Sequence, residues 1–196
     1  MSDDEVPTKD RRMLAIGLCL AAAVFMAYAA FSHRWLSNGN KHLEYGMGLQ
    51  KSFECAKSDR GWDCEWISNK DFVAQMKEIE KVDPGHRKLY SAAWIPAGWV
   101  TLISILLSSL GLFASAGLAF QRIHKEWPIA PTTVALLGGM VGLISGCVFV
   151  ATKPGEPGMV GVGLSFWVFG VGVVMGIVGA QMAAKVIRPP DPEWTA

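Results

Sequence analysis

The sequence predicts a four-span helical membrane protein with one large polar loop of short strands, and three observations predict it. Of 35 charged residues in a chain of 196, 19 fall within residues 33–90. Four segments, 13–32, 91–120, 132–151 and 158–184, carry no Asp, Glu, Lys or Arg over 20, 30, 20 and 27 residues. The polar loop holds Cys55 and Cys64, whereas Cys19 and Cys147 lie in charge-free segments. A hydrocarbon core about 30 Å thick needs about 20 helical residues at 1.5 Å each, so every segment is long enough to cross. A soluble helix would show a polar stripe, and Val134 to Ala151 offers only Ser145.

Residues 1–12 form a charged N-terminus. The first span, 13–32, runs 19 residues unbroken from Met13 to Phe31. That exceeds the apolar core of a signal peptide, so it reads as an uncleaved anchor although Ala27-Tyr28-Ala29 resembles a cleavage site. In the loop 33–90, Gly39, Gly46 and Gly48 precede aromatic residues Phe53, Trp62 and Trp66 interleaved with charges, which predicts short strands. From Asn69, residues Phe72, Val73, Met76 and Ile79 recur at helical spacing and predict an amphipathic helix ending near Asp83-Pro84-Gly85. This helix either packs on the loop's own strands or docks on a partner or the membrane surface.

The second span is 91–120, with Pro96 in its first turns as a possible bend. A linker 121–131, a third span 132–151, a short loop 152–157, a fourth span 158–184 and a tail 185–196 complete the chain. Trp35, Tyr90, Trp94 and Trp127 lie near span ends, where aromatic belts form.

Short flanks set the orientation. Lys9, Arg11, Arg12, Arg122, Lys125, Lys185 and Arg188 lie on one side, against Arg34, Arg87, Lys88 and Lys153 on the other. Both termini are therefore expected inside and the 33–90 loop outside, in a plasma or bacterial cytoplasmic membrane. A cysteine pair in such an outer segment is normally a disulfide, and closing eight intervening residues contributes about 2–3 kcal/mol. Zinc would need two further ligands, and His33, His42 and His86 are too scattered to supply them.

The spans exclude several chemistries. They hold no Asp, Glu, Lys, Arg or His, on which ion-coupled carriers and proton relays depend, so a transporter or pore ranks last. They supply no axial histidines for haem, and no Asp pair or Ser–His pair for intramembrane proteolysis. No enzyme, cofactor or metal is expected. A net charge of +1 without a basic run argues against a nucleic-acid partner. The spans do contain small residues at four-residue intervals. Gly138, Gly142 and Gly146 share one face of the third, and Gly172, Gly176, Ala180 and Ala184 one face of the fourth. Such faces allow close helix packing, either within the chain or with a homo-oligomer or another membrane protein.

The order of features is a span, Trp35 just outside it, Gly48-Leu49, Cys55, Cys64, and Arg87 before a long second span. It resembles the claudin-like tetraspan superfamily: claudins, peripheral myelin protein and the auxiliary gamma subunits of calcium channels and AMPA receptors. Their signature is an outer Trp, then GLW-x-x-C-x(8–10)-C and a basic residue. The resemblance implies an all-α four-helix membrane bundle, left-handed, carrying a small extracellular antiparallel β-sheet stapled by Cys55–Cys64, with Trp35 and Leu49 packed where sheet meets membrane. Gln50 replaces the family's Trp, and two extra residues precede Cys55. The 152–157 loop is shorter than a claudin's, and the loop 33–90 has no Asn-x-Ser/Thr sequon. The expected function is non-catalytic. The chain acts by protein–protein interaction as an auxiliary or assembly subunit of a larger membrane complex, or else as an adhesion or barrier protein that self-associates through its outer loop.

Overall fold

In a computed structural model, residues 9–39, 42–59, 61–82, 91–121, 130–154 and 160–187 are described. Four helices there are long and apolar enough to cross a membrane: α1 (Lys9–Phe31), α3 (Trp94–Gln121), α4 (Pro131–Ala151) and α5 (Leu164–Ile187). Between the first two lie β1 (Leu36–Gly39), β2 (Leu43–Met47), β3 (Lys51–Ser58), β4 (Gly61–Ser68) and α2 (Asn69–Val82), and β5 (Gly161–Val162) precedes α5. The protein is thus mostly helical, with one five-stranded antiparallel sheet in the order β4-β3-β2-β1-β5.

Within the uncharged run 158–184, the described residues 160–163 are not helical. Gly161 and Val162 pair with Ser37 and Leu36 instead, and α5 starts at Leu164. Absence of charge marks a dry environment, which a paired strand satisfies as well as a helix does. Pro96 falls in the first turn of α3, where its missing N–H removes no intrahelical bond, so nothing there demands a bend.

The chain forms two compact units. The first comprises Met1–Ala27, Ile105–Met140 and Val171–Ala196. Its interior is rich in small and hydroxylic residues, with Ala15, Cys19, Ala22, Ala23, Ser108, Ser115, Ala116, Ala180 and Ala183 buried beside Met26, Ile105 and Leu112, while Leu14, Val24, Leu110, Phe113 and Val174 are exposed. A water-soluble bundle would invert that distribution. Ser108 Oγ donates to Ala135 O at 2.6 Å and Ser109 Oγ to Ala23 O at 3.0 Å, so hydroxyls join helices by hydrogen bonds.

The second unit comprises Tyr28–Ser104 and Val141–Gly170 and contains the sheet. Its core is aromatic. Trp35 is fully buried, with ring centroids 6.2, 6.0 and 5.4 Å from Phe149, Phe166 and Phe169, and Trp94 stacks on Phe149 at 5.3 Å. The Trp35 indole N–H donates to Ala29 O at 2.6 Å, while the buried indole nitrogen of Trp94 has no acceptor among the described residues.

Local chemistry explains the passage from β4 to α2. Ser68 Oγ accepts from the Asp71 N–H at 3.1 Å and donates to the Asp71 carboxylate at 2.6 Å, an N-cap closed by its own third residue. Asn69 is buried with its amide satisfied, accepting from Ser52 Oγ at 2.8 Å and donating to Gly48 O at 2.9 Å. Val73 is buried, and Phe72 meets Trp94 at 6.3 Å, so the first half of α2 packs within its own unit. Ile79 and Val82 are exposed.

Candidate functional site

The β3–β4 hairpin carries the chemistry of the sheet. Ser58 pairs with Gly61, so the loop is two residues long, and Gly61 takes φ of +124°, a conformation open to glycine. Cys55 and Cys64 are directly opposite in this ladder and form a disulfide. Because side chains alternate along a strand, the register sorts the hairpin into two faces.

One face carries Lys51, Phe53, Cys55 and Lys57 from β3, opposed by Ser68, Trp66, Cys64 and Trp62 from β4. Phe53 and Trp66 lie 5.1 Å apart, and Trp66 meets His33 edge-on at 4.7 Å. Trp62 and Trp66 are 49% and 55% exposed, and both lysines are exposed. The other face carries Glu54 directly opposite Glu65, with Asp63 and Tyr45 beside them. Like charges placed opposite disfavour the pairing, so the hairpin holds these carboxylates at a small cost. The Tyr45 phenol is pushed up by desolvation, by the Glu54 charge and by its hydrogen bond to that carboxylate. The β3–β4 hairpin is therefore aromatic and basic on one side and acidic on the other.

At the helix end of the aromatic face is a groove of about 470 Å³, lined among others by Phe31, Ser32, His33, Gln50, Lys51 and Trp66. The His33 imidazole is held below its ordinary value, first by desolvation and then by the Lys51 charge. Gly48 allows this close approach of β2 to the end of α1, since a Cβ there would lie 2.8 Å from Ser32 O and 2.9 Å from His33 Cα. Among the described residues no group of three or more His, Cys, Asp or Glu could hold a metal ion.

Of the residues singled out from sequence, Cys55, Cys64, Trp35, Gly48 and Leu49 all lie in the sheet-bearing unit, with Leu49 buried, and Arg87 lies outside the described residues. Gly138 is half-buried and Gly142 buried, while a Cβ at Gly146 would meet the Trp35 ring at 3.3 Å. Gly172 and Gly176 face Ala22 and Met26 of α1, and Ala180 is buried, so these positions are used within the chain. Sequence reasoning missed Asn69, Lys51 and the pairing of Trp66 with His33. The two-residue spacing of Trp62, Cys64 and Trp66 was the available signal, because it places all three on one strand face. No protein-family model matches the chain, and no curated protein matches it.

Proposed function

We propose that this is a non-catalytic, four-span membrane protein, a distant member of the claudin-like superfamily. In this reading it serves as an auxiliary or assembly subunit whose outer sheet recognises another membrane protein. Four membrane-length apolar helices with small residues buried and large apolar residues exposed support the spanning reading. Both termini then face the cytoplasm, with the sheet outside a plasma or bacterial cytoplasmic membrane. The observation that carries the recognition role is the exposed Trp62, paired with the exposed Lys57 near the turn of the hairpin. Tryptophan is among the residue types most enriched in protein-binding hot spots. The Gly172 and Gly176 face is already covered by Ala22 and Met26, so a partner would meet the sheet rather than those glycines.

A second reading rests on the charge of the β3–β4 hairpin. Its two faces have opposite sign, so the acidic face of one copy complements the basic face of another, as adhesion by self-association requires. Gentle detergent extraction and mass spectrometry of co-purifying proteins separate the two. A larger partner in fixed stoichiometry, lost in Trp62→Ala, is expected. A pure homo-oligomer would overturn the auxiliary role in favour of self-association.

A further inference from the structure

We propose that the groove between the end of α1 and the start of β3 binds the anionic headgroup of an outer-leaflet phospholipid. This rests on the four-span reading. Three observations carry it. The first is position: Ala30 and Phe31 are the last residues of a membrane-length helix, and Phe31 is 67% exposed, so the floor of the groove is at the depth where acyl chains meet headgroups. The second is composition. The same groove is lined by Ser32, His33, Gln50 and Lys51 and by Trp66, and tryptophan belongs at this depth.

The third is charge. Lys51 forms no ion pair among the described residues, whereas nearby Arg34 is held by Glu44 at 2.7 Å. Glu54 and Glu65 stand on the opposite face of the hairpin and cannot neutralise it. Glu44 shares the face of Lys51, but Arg34 occupies it. An ammonium beside an apolar floor is thus left for an anion supplied from outside, and a lipid phosphate provides the anion and the hydrocarbon together. Partner recognition uses the far end of the face, since Trp62 is four residues along the strand from Trp66, about 13 Å.

Binding has a second signature. The depression of the His33 pKa has Lys51 as its second cause, and Arg34, next in the chain, is already paired with Glu44. A phosphate seated against Lys51 would offset that charge, and the His33 pKa would rise.

The test uses the full-length protein. Membranes are first washed with alkaline carbonate, and the retained protein is purified in mild detergent. It is then examined by native mass spectrometry with equal phosphatidylglycerol and phosphatidylcholine. The wild type is expected to retain phosphatidylglycerol preferentially. Lys51→Gln should reduce that preference about tenfold, the equivalent of one charge-assisted hydrogen bond. Lys51→Arg should keep it, as should Lys57→Gln on the same face. In nanodiscs, the His33 pKa of the wild type should rise with phosphatidylglycerol and not with phosphatidylcholine, a readout independent of any variant's folding.

Unchanged preference in Lys51→Gln, or equal loss in Lys57→Gln, would overturn the proposal. So would displacement of the lipid by soluble glycerol 3-phosphate, which would make the ligand a free phosphate. Release of the wild type by carbonate would sink the spanning reading and this one with it, whereas a retained protein with no lipid preference would sink this one alone.

Discussion

Trp35 and Trp94 are sealed among Phe149 and Phe169, while Trp62 and Trp66 of the same unit stand half in the open on the sheet. The difference follows from what each ring meets. Trp35 is bracketed by helices whose small residues admit it, since even a Cβ added at Gly146 would lie 3.3 Å from its ring, and its N–H has a carbonyl to bond. Trp62 sits on β4, the edge strand in the order β4-β3-β2-β1-β5, and half of its surface stays open. The first pair is enclosed within the fold, and the second stands at its surface. Such surface is the place to look for recognition.

The largest way to break this comparison is Trp35→Ala. It should cost about 3–5 kcal/mol, as for other buried aromatics, read as a lowered melting temperature in detergent or loss of folded protein. Next comes the staple between the open face and the rest of the sheet. Cys55→Ser and Cys64→Ser should each cost about 2–3 kcal/mol, and the double variant should be no worse than either. One dispensable cysteine would contradict the bond.

A finer test separates the two buried tryptophans. Trp35→Phe loses a satisfied N–H and Trp94→Phe an unsatisfied one, so Trp35→Phe should be the more damaging by about 1 kcal/mol. Trp62→Ala should leave stability within about 0.5 kcal/mol while abolishing partner capture. If it unfolds the protein instead, the open face belongs to the core and the comparison fails.

The smallest expected effect is that of pH on His33. Its folded pKa lies below its unfolded value of about 6.5, so the unfolded chain binds the proton more readily. Stability is then fully present above that value and falls as pH drops below it. The fall should be absent in His33→Gln and shallow in the wild type, because the ring is largely solvated. Unfolding midpoints measured across the acid range would show it.

Much of the architecture was legible because it depends on local composition. Each of the four long helices covers most of one charge-free stretch, since a run without charge has few places to go but a dry environment. The helix from Asn69 to Val82 follows the period of Phe72, Val73 and Met76, and its start is written in the Ser68 and Asp71 cap. The disulfide followed from two cysteines sharing the polar loop. The site was much less legible. Nothing near Gly161-Val162 in sequence announces pairing with Leu36 and Ser37, which are more than 120 residues away. Likewise His33 and Trp66 reach one another only because β4 pairs with β3 beside the end of α1.

By itself the sequence determined how many segments are apolar enough to cross a membrane, which stretch is polar, and which cysteines could meet. Each is a sum over neighbouring residues. Only the tertiary structure decided which tryptophans are sealed, that lysines and carboxylates divide between opposite faces of the hairpin, and that Gly172 and Gly176 are spent on α1. The reason is register. Side chains alternate along a strand, so a slip of one residue would exchange the two faces and put Glu54 and Glu65 where Phe53 and Trp66 now stand. That register is held by the pairing of β3 with β4 and by the disulfide across it, which are contacts between segments that composition cannot specify.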